Sequence, residues 1–183
     1  MRKVGNKENL GWLRNALYST PQQFMRQDPA YYRYYCMIRP DNRPWLISYP
    51  YYMKRTRPGD KTIFRHVDIN LGDSIATGKG STLVQGFLSL TDDTPNNCSV
   101  FLPKMHTIIN AAGWYRDVDR RRRAAGKPGI GDGKVVGILK DDFTEEDKVT
   151  YNTKWTVVPR QAGTCTIFDP MLPYRSTGPI DSV

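Results

Sequence analysis

Two side chains of complementary metal chemistry stand two positions apart in Phe64-Arg65-His66-Val67-Asp68-Ile69-Asn70. In a β-strand, side chains alternate between faces, so His66 and Asp68 project to the same side. An imidazole nitrogen and a carboxylate oxygen held together can take neighbouring positions on an octahedral ion. A distant histidine would complete the 2-His-1-carboxylate triad of non-haem iron oxygenases, which leaves three positions for co-substrate and dioxygen. The competing reading of an H-x-D triplet is a structural His–Asp pair without an ion. The only other histidine is His106. It reads either as the missing ligand or as a polar residue near the pocket mouth.

The elements that must position this pair begin with helices, in a segment of about residues 1–30. Glu8 to Ser19 places Leu10, Leu13 and Leu17 at helical spacing, and Pro21 is expected to end that helix. A second short helix is expected over Gln22–Gln27. Strands are expected over Tyr31–Ile38, Trp45–Met53, Thr62–Ile69, Ser81–Leu90, Cys98–Leu102, Lys134–Leu139, Trp155–Val158 and Thr164–Phe168. Turn clusters such as Asp92-Asp93-Thr94-Pro95-Asn96-Asn97 and Gln161-Ala162-Gly163 separate them. Asp142 to Tyr151 reads as a short helix, with Thr144 as cap and Glu145, Glu146 and Asp147 at its positive end. Helices followed by many short strands predict a mainly β fold with flanking helices, a double-stranded β-helix (jelly-roll, cupin-like). No repeat or low-complexity linker divides the chain, so a single domain over residues 1–183 is expected.

Several segments carry a resemblance in this order. They are His66-Val67-Asp68; Val84-Gln85-Gly86-Phe87-Leu88-Ser89-Leu90-Thr91-Asp92; Asn97-Cys98-Ser99-Val100-Phe101-Leu102-Pro103-Lys104-Met105-His106; Val158-Pro159-Arg160-Gln161-Ala162-Gly163-Thr164-Cys165-Thr166-Ile167-Phe168; and Leu172-Pro173-Tyr174-Arg175-Ser176-Thr177-Gly178-Pro179. From about Trp45 onward the chain resembles the phytanoyl-CoA dioxygenase-like group of iron(II)- and 2-oxoglutarate-dependent dioxygenases, and more closely a set of fungal proteins of that kind. The resemblance implies a jelly-roll, Fe(II) and 2-oxoglutarate as cofactors, a small-molecule substrate that is hydroxylated, and His66 and Asp68 as metal ligands. It places Tyr174 where the family has its distal histidine, at the third metal position. It also implies that the family's arginine for the far carboxylate of 2-oxoglutarate, about ten positions after the distal ligand, has no counterpart before Val183. Both departures point to impaired activity. A phenol serves best as phenolate on ferric iron, and its pKa near 10 opposes ionisation.

Gln85, Phe87 and Ser89 share one face of their strand and are candidates to line the co-substrate pocket, although Phe87 also reads as plain core. Arg175 is a candidate for binding an anionic ligand, with Arg65 and Lys104 as further basic residues to consider; exposed salt-bridging is its other reading. Formal net charge is +9, densest in Arg120-Arg121-Arg122-Arg123. That run reads as the exposed end of a helix, either a solvated face or a phosphate contact. With no interleaved aromatic and basic reader motif, any nucleic-acid binding is expected to be weak and nonspecific. Hydrophobic residues make up 39% and charged residues 25%, the balance of a folded globular chain. No apolar run approaches the roughly 18 residues of a membrane span, and the basic N-terminus lacks the apolar stretch of a secretory signal. Cys36, Cys98 and Cys165 read as buried free thiols, and with them a cytoplasmic, reducing location is expected. Three functions follow as expectations: a working oxygenase, a catalytically degenerate jelly-roll that binds a ligand or partner, and a basic nucleic-acid-binding protein.

Overall fold

Asp28 and Pro29 decide how the aromatic segment near the N-terminus folds. The computed structural model describes residues 12–14, 20–38, 52–54, 65–76, 84–129, 132 and 143–176. The chain forms two compact units, Met1–Lys61 with Gly178–Val183, and Thr62–Thr177. In the first unit, helix α1 spans Thr20–Gln27 and helix α2 spans Pro29–Ile38. The Asp28 carboxylate accepts the N–H groups of Ala30 (2.7 Å) and Tyr31 (3.4 Å), as an N-cap does, and Pro29 occupies the first helical position, where its missing N–H costs nothing. Tyr31 and Tyr35 then meet one turn apart, with ring centroids at 5.2 Å and hydroxyls at 3.2 Å. Local capping thus overrides aromatic strand preference, and Tyr31–Ile38 is helical where a strand was expected.

Pro21 likewise does not end a helix; it sits in the first turn of α1, which tolerates it. Trp12–Arg14, expected within a helix, is strand β1, paired antiparallel with β2 at Tyr52–Lys54. A helix of that length is marginal on its own, so ladder pairing with a partner strand prevails. The rest of Glu8–Ser19, the segment Trp45–Tyr51 and the expected strand Lys134–Leu139 lie outside the described residues.

The second unit mixes helices with two small antiparallel sheets. Strand β3 (Gln85–Leu88) pairs with β6 (Cys165–Phe168). A three-stranded sheet runs β5 (Thr156–Val158), β4 (Ser99–Phe101), β7 (Tyr174–Ser176). On the other side of β7, His66 forms an isolated antiparallel bridge with Tyr174. Among the described residues neither sheet closes into a barrel. Within the expected strand Thr62–Ile69, residues 65–69 contribute only that bridge, because the chain bends after Asp68 and enters helix α3 (Leu71–Ala76). Three antiparallel pairings nest in sequence: β4 with β5, β3 with β6 outside it, and His66 with Tyr174 outside both. The pairing of β4 with β7 joins the innermost layer of this nest to the outermost.

The two sheets face each other through aromatic rings. Phe168 of β6 meets Phe101 of β4 at 5.1 Å, Tyr174 of β7 at 5.1 Å and Phe87 of β3 at 6.1 Å. A separate apolar core joins Val67, Leu71, Leu102, Met105 and Met171 to helix α4 (Ile108–Ala124) through Ala111, Trp114 and Val118, spaced to share one helical face. Trp114 stacks on Phe143 at 5.0 Å, and Phe143 meets Trp155 edge-on at 6.3 Å. Helix α5 (Glu145–Thr150) carries the expected cap: Thr144 and Asp147 form a reciprocal capping box. The cysteines are free, Cys98 buried and Cys36 and Cys165 partly so. Among the described residues no helix is long and apolar enough to cross a membrane.

Candidate functional site

The bridge between His66 and Tyr174 sets the site. Their backbones exchange two hydrogen bonds, His66 N–H to Tyr174 O at 3.1 Å and Tyr174 N–H to His66 O at 3.0 Å. Directly bridged residues share a face, so the two rings lie together with centroids at 4.3 Å. Asp68, two residues on, joins them. Its Oδ1 lies 3.1 Å from His66 Nε2, and its Oδ2 accepts the Tyr174 hydroxyl at 3.0 Å and the Gln85 amide at 2.5 Å. The four residues come from three segments, with Gln85 supplied by the facing sheet.

Asp68 is the electrostatic centre of this cluster. Burial alone would raise its pKa. The hydrogen bond and charge of His66, with hydrogen bonds from Gln85 and Tyr174, outweigh that and hold it below the ordinary carboxylate value. His66 is buried at 7% exposure, and Phe101, Phe168 and Tyr174 wall the same space.

Cis ligands on an octahedral ion with bonds of about 2.1 Å stand about 3 Å apart. His66 Nε2 and Asp68 Oδ1 meet that spacing, while the Tyr174 hydroxyl donates to the other oxygen, Asp68 Oδ2. The set is an imidazole, a carboxylate and a phenol. Among the described residues no group of three His, Cys, Asp or Glu side chains converges. Two donors, one from His66 and one from Asp68, thus stand at ligand spacing, and the Tyr174 hydroxyl engages the other carboxylate oxygen.

The other candidates fall differently. Gln85 does not stand free in a pocket; its amide orients Asp68. Phe87 lies under the Arg160 guanidinium at 4.3 Å and edge-on to Phe168. Ser89 is buried at the end of β3, where its N–H bonds Thr164 O, away from the cluster. Arg175 follows Tyr174 and so occupies the opposite face of β7. Its guanidinium lies 6.0 Å from the Trp155 ring, which Arg65 also approaches at 5.5 Å. Arg175 thus does not reach the His66 cluster. Burial lowers its pKa, and the charge of Arg65 lowers it further. His106 and Lys104 are exposed in the turn before α4.

Sequence reasoning missed Arg160. Its Nε donates to Asp93 Oδ2 at 2.6 Å and its Nη1 to Thr166 Oγ1 at 3.2 Å, with its side chain only 7% exposed. It ties the turn after β3 to the turn before β6. Nothing in Val158-Pro159-Arg160 marks it out, because its partner lies 67 residues away. Phe101 and Phe168 were legible only as strand apolar residues, and their shared wall follows from register. Comparison with protein families, with curated protein sequences and with solved structures gives no match to this chain.

Proposed function

We propose that this chain is a jelly-roll of the non-haem iron(II) and 2-oxoglutarate-dependent dioxygenase type, with impaired activity toward an unidentified small organic substrate. The observation that carries this reading is the 3.1 Å approach of His66 Nε2 to Asp68 Oδ1 beside the Tyr174 hydroxyl. The nesting of strand pairs supports the fold. A two-stranded ribbon whose rungs are His66–Tyr174, β3–β6 and β4–β5, wound so that β4 also meets β7, is how a double-stranded β-helix is built.

In this reading His66 and Asp68 would hold the ion, Gln85 fixes the carboxylate, and the aromatic wall of Phe101 and Phe168 shields it. Iron, when bound, supplies the binding and activation of dioxygen next to 2-oxoglutarate. Tyr174 is the weak member. Its hydroxyl donates to the carboxylate the ion needs. The expected result is low iron(II) affinity and slow or absent succinate release.

A second reading is a jelly-roll that binds a ligand or partner without turnover. It is favoured by the same hydrogen bonds: His66, Gln85 and Tyr174 together engage both oxygens of Asp68, so the cluster holds itself without an ion.

Calorimetry with iron(II) tests the first reading. Binding should be weak, abolished by His66→Ala, and at least about tenfold tighter in Tyr174→His, which restores an imidazole. Affinity unchanged by both substitutions would remove the metal reading. Succinate release with iron(II), ascorbate and 2-oxoglutarate separates a working from an impaired oxygenase. Robust release that His66→Ala abolishes would show that activity is not impaired.

A further inference from the structure

The face of the His66–Tyr174 bridge turned away from the Asp68 cluster holds two guanidinium groups beside one indole. Arg65 and Arg175 lie 5.5 and 6.0 Å from the Trp155 ring centroid. They precede His66 and follow Tyr174, so strand alternation puts both on the face turned away from that cluster. Among the described residues neither has an acidic partner. The Nε of Arg175 is buried and makes no hydrogen bond, and so is the indole Nε1 of Trp155. Elsewhere in this unit buried or half-buried arginines are paired: Arg160 with Asp93 and Arg121 with Asp147. Two like charges that share one ring and leave donors unmet carry an electrostatic cost that a bound anion would remove.

We propose that Arg65, Arg175 and Trp155 form a binding site for a compact oxyanion, the phosphate or carboxylate group of a small molecule. A guanidinium that lies near an aromatic ring keeps its N–H edge available, and two such edges can grip the oxygens of one anion. The indole N–H adds a neutral donor. The pair is confined to one end of a short strand, which matches a single anionic group and not an extended polyanion.

The site is tested on the whole chain in a chelating buffer, so that failure of the iron site leaves the result unaffected. Thermal unfolding and calorimetry are followed with inorganic phosphate, and in a parallel arm with acetate, at constant ionic strength. The expected result is a saturable rise in Tm, roughly 3–6 °C at about tenfold Kd, with one of the two anions. Arg65→Gln and Arg175→Gln should each abolish that rise, while Arg120→Gln on α4 retains it. Arg65→Gln should also be at least as stable as the parent in anion-free buffer, because it removes the like charge. That second readout keeps the test decisive where Arg175→Gln folds poorly. Absence of a saturable response, or its persistence in Arg65→Gln, would overturn the proposal. So would a short oligonucleotide that displaces phosphate at far lower concentration, since it would make the ligand a nucleic acid.

Discussion

The cationic run at the end of α4 and the arginine pair beside Trp155 belong to the same unit and differ in their partners. Arg120 meets Asp117, Arg121 meets Asp147, and Arg123 meets both Asp119 and Asp132. Arg122 donates to the Pro128 carbonyl at 2.7 Å. The densest positive charge in the sequence is thus largely answered within the protein. Arg65 and Arg175, isolated cations in the sequence, meet an indole ring and, among the described residues, no carboxylate. Local charge density and unanswered charge are therefore different signals here.

Breaking a buried pair should have the largest effect. Asp93→Ala leaves the Arg160 guanidinium buried without its carboxylate, and should cost about 3–5 kcal/mol in urea unfolding. A loss below about 1 kcal/mol would mean that water or another acid takes over, and that pairing matters less than argued. By contrast Arg65→Gln removes an unpaired charge and should not destabilise.

The cluster around Asp68 lies between these extremes: it is paired within itself, yet His66 Nε2 and Asp68 Oδ1 stand at ligand spacing. Gln85→Leu removes the amide that orients the carboxylate. If iron binds, its affinity should fall about 10–100-fold, the usual effect of losing an outer support of a ligand. Calorimetry that finds equal affinity in the variant would make Gln85 a filler and not a positioning residue.

How much of this was legible in the sequence varies by element. The approach of His66 to Asp68 followed from strand alternation alone, although only His66 is ladder-paired among the described residues of that segment. Thr144 announced its helix because a capping box is local. Strands β3, β4, β5 and β6 fall inside segments rich in apolar and β-branched residues, where period-two patterns are informative. Tyr31–Ile38 misled because aromatic content outweighed the Asp28-Pro29 cap in the reading, while the cap decides the backbone. Arg160 with Asp93, and Gln85 with Asp68, were not legible, since a contact across 67 or 17 residues depends on register that no local pattern encodes. Arg175 was placed near the metal by sequence proximity to Tyr174, and alternation along β7 sends it to the other face.

A smaller effect should appear at alkaline pH. Tyr151 donates to Asp117 at 3.2 Å, and its pKa is raised from 10.0 to about 12, first by burial and then by the charge of Asp117. The unfolded phenol ionises near pH 10 while the folded one keeps its proton. Stability from this group is therefore complete below pH 10 and is lost as pH rises toward 12. Tyr151→Phe should cost about 1 kcal/mol at neutral pH and flatten the fall between those limits. Unfolding curves of equal slope in the two proteins would place the phenol outside the Asp117 contact.

The smallest effect sharpens the comparison most. Arg120 pairs with Asp117 at 3.1 Å, but its side chain is 77% exposed. An exposed pair one turn apart gains little Coulomb energy in high dielectric and costs side-chain entropy, so its usual contribution is about 0.3–0.5 kcal/mol. Alanine is also the better helix former, which offsets part of that loss. Arg120→Ala should consequently change stability by less than about 0.5 kcal/mol, and the difference should vanish in high salt. A double-mutant cycle with Asp117→Ala, measured by urea unfolding, isolates the coupling from the propensity gain. A coupling above about 1 kcal/mol would mean that the run at the end of α4 is a cooperative network, with Arg120, Asp117 and Tyr151 acting as one unit, and that an exposed charge there counts as much as a buried one. A coupling within the surface range leaves the contrast intact: these arginines are answered cheaply at the surface, while Arg65 and Arg175 meet no carboxylate among the described residues.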